Sequence, residues 1–336
     1  MLSTAKRRRP SFDTTPSQPE PAGRQPLHVA VLQGGVGHER AVSLISGKAV
    51  IAGLQSRGHR VTPVTLDSSD ERALDAIPAD ADVAFLALHG EYGEDGTIQQ
   101  SLATRGITYT GSGPEASARA FDKIRAKRLF RRAGLPLAWQ RVVEFPWSER
   151  SVRHALRMCA EFPVVVKPAR CGSSVGVAIA HNRDQLRRAI EEAARYRQDI
   201  LIEEFIAGHE LTCGVLGGEA LPPVEAVAQR TFFDYRAKYE KETGTAYVVD
   251  PPELPAALKV ELRRLALAAH EVLGCSDFSR TDFRYDPQTK RLAILETNTI
   301  PGLTPTSLLP MAAGAVGIDF GALVERFCTL ALRARA

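Results

Sequence analysis

Apolar positions along this chain recur at two spacings, and the alternation between them lays out an α/β protein. Short runs such as His28 to Gln33, Asp82 to Leu88 and Pro163 to Ala169 are almost wholly apolar and read as buried strands. Longer stretches such as Ala41 to Arg57 and Leu254 to Leu273 carry apolar residues at helical spacing and read as helices with one face inward. The first run ends in Gly34-Gly35, leads into the Ala41 helix and is followed by a strand from Arg60 to Leu66, a βαβ opening. The run from Asp82 ends in His89-Gly90-Glu91-Tyr92-Gly93-Glu94-Asp95-Gly96. In open α/β sheets ligands gather beyond the carboxyl ends of strands, so both polar endings fall where a site would be.

A first lobe therefore spans residues 27–121. Over 122–210 the pattern predicts a helix from Asp122 to Arg132, a strand near Trp139 to Val143 and the Pro163 strand. A Gly/Ser turn from Gly172 to Gly176, another strand, a helix near Arg183 to Tyr196 and a strand from Ile200 to Phe205 follow. Residues 211–336 add strands near Glu210 to Leu216 and Leu221 to Val227, the Leu254 helix, a hairpin over Ser279 to Asn298 and a terminal helix from Phe320. The segment 230–250 is polar and long for a connection inside a compact domain, which is the pattern of a mobile functional loop. At 336 residues the chain is too long for one core, so several subdomains are expected.

Composition narrows the function. No apolar stretch approaches the ~18 residues needed to span a bilayer, so no membrane span is expected. The net charge is +4, but residues 1–26 contribute most of it through Lys6, Arg7, Arg8, Arg9 and Arg24 against Asp13 and Glu20. The remaining body is nearly neutral, which argues against a nucleic-acid partner, since phosphate backbones require a basic face. The first 26 residues are rich in Pro, Ser, Thr and Arg and read as a disordered basic tail without the apolar core of a secretory signal. Five scattered cysteines, with no metal-ligand spacing, fit a reducing compartment, and the cytoplasm is the expected location.

Candidate chemistry sits where charge interrupts apolar strands. Arg280 and Asp282 lie two apart, as do Glu296 and Asn298, so each pair shares a strand face. All four converge only if the two strands pair in a register that turns those faces the same way. Hard oxygen ligands beside a guanidinium suit Mg²⁺ and phosphate together; a structural arginine–carboxylate pair is the alternative. Lys167 ends an apolar strand and should meet an anion, either a phosphate or a structural carboxylate. Gly172-Ser173-Ser174-Val175-Gly176 offers backbone N–H groups and hydroxyls that can cover phosphates. Glu203-Glu204-Phe205-Ile206, with Glu210 beyond, offers an apolar slot for adenine and a carboxylate for ribose, or else an edge strand with solvated glutamates. Lys123 alone reads as a surface helix lysine.

Taken together and in order, these segments resemble the D-alanine:D-alanine ligases of the ATP-grasp superfamily. The matching stretches are Gly34-Gly35 through Glu39 to Ser46-Gly47, His89-Gly90 with Gly93 to Gly96, Tyr109 to Gly113, Asp122-Lys123, and Val166-Lys167-Pro168. Further on come Gly172 to Gly176, Asp234-Tyr235 through Lys238-Tyr239, Arg280 with Asp282, and Glu296 to Leu308. The resemblance implies a three-subdomain ATP-grasp fold. An N-terminal open parallel α/β substrate lobe would precede a central subdomain (122–210) and a C-terminal one (211–336), with 230–250 as lid and ATP between the last two. It implies that Lys123, Lys167 and Ser174 serve the ATP phosphates, Glu203, Glu204, Phe205 and Ile206 the adenine, and Glu210 the ribose. Asp282, Glu296 and Asn298 would hold two Mg²⁺ (or Mn²⁺).

By the same resemblance, Glu39 would take the ammonium of a first D-alanine near His89, and Lys238, Ser307 and Leu308 the carboxylate of the second. Arg280 and the N–H of Gly302 would steady the oxyanion, and Tyr239 would hydrogen-bond with Ser173 and Glu39. The family also suggests a homodimer. Gly37, His38, Ala41 and Cys171 depart from the family pattern and bear on substrate preference more than on reaction type. The alternatives are a second substrate such as D-serine or D-lactate, the latter disfavoured by Lys238-Tyr239, or a non-catalytic nucleotide-binding homologue.

Overall fold

The computed structural model describes residues 25–227 and 245–333. The tail and most of the loop, with Lys238 and Tyr239, lie outside the described residues. Three sheets carry the molecule. In the first, β1 (His28–Gly34) runs parallel between β2 (Arg60–Leu66) and β3 (Val83–Leu86), with α1 (Arg40–Ser56) as the crossover. Three helices follow, α2 (Thr97–Thr104), α3 (Pro114–Phe121) and α4 (Lys123–Arg132). The second sheet is antiparallel in the order β4-β7-β5-β6, built from β4 (Gln140–Val143), β5 (Val164–Pro168), β6 (Ala178–Ala180) and β7 (Ile200–Glu204). α5 (Glu149–Met158) and α6 (Arg183–Ala193) connect its strands.

The third sheet is also antiparallel and comprises β8 (His209–Leu216), β9 (Glu219–Ala220), β10 (Val224–Val227), β11 (Ala246–Val249), β12 (Phe278–Asp286) and β13 (Arg291–Asn298). α7 (Ala256–Leu273) lies between β11 and β12 in the chain, and α8 (Leu308–Gly314) and α9 (Phe320–Arg333) close it. α9 packs back on the first lobe: Phe327 stacks on Phe278 with ring centroids 3.9 Å apart and lies 6.1 Å from Phe85. All three rings are fully buried, each worth roughly 1.5 to 3 kcal/mol, so the first and last parts of the chain share one core. Among the described residues no helix is long and apolar enough to cross a membrane.

The differences from the predicted elements have local causes. The strand expected from Leu221 starts only at Val224, because Pro222 and Pro223 have no N–H to give a ladder. Asp82 precedes its strand and accepts the N–H of His28 through its carboxylate at 2.7 Å. The end of the polar 230–250 segment pairs as β11 with β10. Short helices without a long apolar period were missed: α3 starts on Pro114, and α5 on a capping box in which the Ser148 and Ser151 side chains bond each other's backbone.

Candidate active site

The register of β12 and β13 sets Arg280 opposite Asn298 and Asp282 opposite Glu296, so the four side chains share one face, as the i, i+2 spacing required. Arg280 donates to both oxygens of Asp282 at 2.8 Å. Asn298 Nδ2 donates to Asp282 Oδ2 at 3.0 Å, and Thr212 on β8 donates to Oδ1 at 2.8 Å. One carboxylate thus receives four donors, filling its lone-pair positions. Glu296 is more open and pairs with Lys123 at 3.1 Å. Past Asp282 the ladder shifts: Phe283 pairs with Ile294, so Leu295 is skipped as a bulge.

Facing this edge is the β5–β7 wall. Asp122 caps α4 by accepting the N–H groups of Ile124 and Arg125, which fixes Lys123 in the first turn. Its ammonium donates to the carbonyl of Cys171 at 2.7 Å. The backbone of Cys171 makes this contact, so its departure in side chain leaves the lysine's anchor intact. Lys167 finds its anion in Glu203, 2.5 Å away, and not in solvent. The second oxygen of Glu203 lies 2.6 Å from Lys127, a residue the sequence reading missed. Burial would raise the Glu203 pKa, but Lys127 and Lys167 overcome it and hold the carboxyl below its usual range. The same burial lowers Lys127 to about 8 despite Glu203.

Between the walls lies a cleft lined by Lys123, Lys167, Phe205, Asp282, Leu295 and Glu296, among others. Ser174, Glu203, Glu204, Ile206 and Glu210 also line it, so every residue predicted for ATP is brought together. Arg284, not foreseen, organises the far end, donating to the carbonyls of Ile206 and Gly208 at 2.9 and 3.0 Å and lying 3.4 Å from Glu210. Its guanidinium sits 5.7 Å over the Phe205 ring. A second hollow lined by Arg128, Arg131, Trp139 and Arg141 lies elsewhere and has no carboxylate in its lining. We assign the site to the first cleft because there, and not in this second hollow, lysines face carboxylates.

A third group joins the first lobe to the glycine-serine turn. Ser173 donates to Glu39, and both are withdrawn from solvent. Ser173 and Ser174 have φ of 49° and 58°, a left-handed conformation uncommon outside glycine. Two glycines press on the Glu39 carboxylate: a Cβ at Gly172 would come within 2.6 Å of its oxygen, and one at Gly90 closer still. His89 bonds Ser46 at 2.9 Å, and burial drives its pKa down to about 4, so it is neutral. Glu94, in the polar ending expected near the site but given no role there, accepts the Gly90 N–H at 2.7 Å and is pushed up to about 8 by burial and the charge of Glu39. Ser307 accepts from the Thr304 N–H at 3.1 Å, and its hydroxyl lies 3.0 Å from where a Cβ on Gly302 would stand; Leu308 opens α8.

The donor set bears on the metal. Among the described residues no three His, Cys, Asp or Glu side chains gather as a closed metal cage. Glu296 and the carbonyl end of Asn298 offer hard oxygens on one side only, and Asp282 joins them once it gives up one of its four donors, which fits Mg²⁺ completed by phosphate oxygens.

Comparison with known proteins agrees with this geometry. The family models "D-ala D-ala ligase N-terminus" and "D-ala D-ala ligase C-terminus" match residues 69–112 and 129–329. A D-alanine–D-alanine ligase of Citrifermentans bemidjiense is 45% identical over 298 residues, covering 89% of this chain and 94% of that protein. One from Gluconobacter oxydans is also 45% identical, over 89% of this chain and 97% of its own length. The crystal structure of the D-alanine–D-alanine ligase of Bacillus anthracis complexed with ATP superposes with a TM-score of 0.78 at 32% identity, covering 92% of this chain and 98% of that one. The fold is that of the ATP-grasp ligases. The chain belongs to the D-alanine–D-alanine ligase family.

Proposed function

We propose that this protein joins two D-alanines to D-alanyl-D-alanine at the expense of ATP, for peptidoglycan precursor synthesis. The observation that carries the reading is the convergence, on one cleft, of Lys123 and Lys167 with Asp282 and Glu296. A carboxylate is a poor electrophile, so the first D-alanine attacks the γ-phosphorus of ATP, ADP leaves, and a D-alanyl phosphate results. The amine of the second D-alanine attacks that carbonyl, loses a proton and expels phosphate. Lys123 and Lys167 neutralise the phosphates, and Phe205 and Ile206 form the adenine slot, with Glu203 and Glu204 beside them and Glu210 toward the ribose. Ser174 belongs to the phosphate cover. Mg²⁺ or Mn²⁺ held by Asp282, Glu296 and Asn298 supplies charge neutralisation and orientation of the phosphoryl group.

Glu39 takes the first ammonium, with neutral His89 beside it. Arg280 and the Gly302 N–H lie toward the oxyanion, where one such donor is worth about 3 kcal/mol. Ser307, Leu308 and Lys238 receive the second carboxylate. Tyr239 completes the contact to Ser173 and Glu39 when the 230–250 lid excludes water, which would hydrolyse the acyl phosphate. In this reading residues 27–121 are the substrate lobe, 122–210 and 211–336 the two ATP-grasp subdomains, and the protein is a cytoplasmic homodimer. With ATP and Mg²⁺, the purified protein should release phosphate on adding D-alanine and not L-alanine. Phosphate release with D-serine alone as the second substrate would move the assignment toward the activity named for the VanG D-Ala:D-Ser ligase of Enterococcus faecalis, whose structure superposes with a TM-score of 0.77 at 27% identity.

A further inference from the structure

Two lysines share one buried carboxylate behind the cleft, and only one of them can reach a ligand. Lys167 Nζ lies 2.5 Å from one oxygen of Glu203 and Lys127 Nζ 2.6 Å from the other. Lys167 lines the cleft beside Lys123, but Lys127 is 0% exposed, stands behind Glu203 and also donates to the carbonyl of Ile294 at 3.0 Å. The trio carries one positive charge in excess, which a low-dielectric interior tolerates poorly until an anion arrives. A phosphate in the cleft can approach Lys167 and not Lys127. When Lys167 turns to that phosphate, Glu203 would be left as a bare buried carboxylate unless another cation stayed with it.

We propose that Lys127 is a positioning residue for nucleotide binding: it is the standing counter-ion of Glu203, which lets Lys167 transfer its charge to the phosphates. The inference rests on the nucleotide reading of the cleft. Lys127 also ties β7, through Glu203, to β13, through Ile294, so the counter-ion is pinned from both walls and does not follow Lys167.

Lys127→Met keeps the length of the side chain and removes its charge. Lys167 is then held in a one-to-one pair that a phosphate must break, so KM for ATP should rise about tenfold or more, and KM for D-alanine by less than about twofold. Adding Glu203→Gln to Lys127→Met frees Lys167 and should tighten ATP about fivefold or more relative to the single variant. An unchanged affinity for ATP in Lys127→Met, or a double variant no tighter than the single one, overturns the proposal. Calorimetric titration with ATP reads the same quantities without turnover, so a wild-type protein that binds ATP but ignores D-alanine would sink the ligase assignment and leave this inference under its own test. Should Lys127→Met not fold, crystal structures of the wild type with and without a non-hydrolysable ATP analogue and Mg²⁺ decide. Lys167 leaving Glu203 while Lys127 stays supports the proposal; Lys167 remaining, or Lys127 departing, overturns it.

Discussion

The two walls of the cleft hold charge of opposite sign in opposite ways. On the β5–β7 wall, Glu203 and its lysines are almost entirely sealed, with Glu203 2% exposed, and its one carboxylate is held by two ammonium groups. On the β12–β13 wall, the Asp282 and Glu296 side chains keep 13% and 22% of their exposure, and Asp282 is steadied largely by hydrogen-bond donors. Depth separates scaffold from contact: a sealed ion pair cannot rearrange without a substitute, whereas the half-open carboxylates can exchange a present partner for a ligand. The sealed Glu203 should therefore respond to mutation mainly in stability, and the half-open Glu296 mainly in turnover.

The sharpest break of that contrast is Glu296→Gln. It keeps shape and removes charge, so phosphate release should fall by at least about 1,000-fold, roughly 4 kcal/mol in the barrier, with the urea midpoint nearly unmoved. Near-normal turnover would place the metal elsewhere. Glu203→Gln strands two buried lysines and should lower unfolding stability by about 3 kcal/mol, read from urea denaturation; an unchanged midpoint would mean the trio is not a sealed unit.

A pH scan gives a smaller, separable effect. Burial holds His89 neutral with a pKa near 4, whereas the unfolded imidazole takes its proton near 6.5. On this group the unfolded state binds more protons between these values, so the His89 contribution, full above pH 6.5, should decline toward pH 4 by about 2 to 3 kcal/mol, against an opposing gain from Glu94, whose raised pKa gives the folded state the extra proton between about 8 and 4.5. Glu203, held below its ordinary 4.5, adds its own loss only below that pH. His89→Asn should remove the His89 loss and leave the Glu94 gain and the lower limb, so the difference between the two proteins should change between pH 6.5 and 4; equal slopes in both proteins would assign the loss to another group.

Much of this was legible in the chain and some was not, for definable reasons. The shared faces of Arg280 with Asp282 and Glu296 with Asn298 follow from strand alternation alone, and the register fulfilled them. Which anion meets Lys167 was open, because a strand pattern says that a charge is buried and not what lies across the sheet. Lys127 was hidden among the basic residues of Lys123 to Arg132, which look like a solvated face. The signal was its spacing: four residues after Lys123 and three before Phe130, it falls on the inward stripe, all of whose members are buried. Arg284 carried a similar clue, two residues after Asp282 on the same strand face. Lys238 and Tyr239 came from family resemblance alone and lie outside the described residues.

The skipped residue at Leu295 acts as a phase setter for the strand. Because it adds one position to β13, an aliphatic side chain and the Glu296 carboxylate, adjacent in sequence, both line the cavity, where regular alternation would send one of them to the opposite side. Deleting that single residue would leave Ile294 opposite Phe283 and Glu296 opposite Asp282 in an unbroken ladder, so Glu296 and Asn298 would keep their face and the cavity would lose only its aliphatic neighbour. A one-codon loss would thus strip an apolar wall from the cavity while leaving its oxygen-rich floor in place.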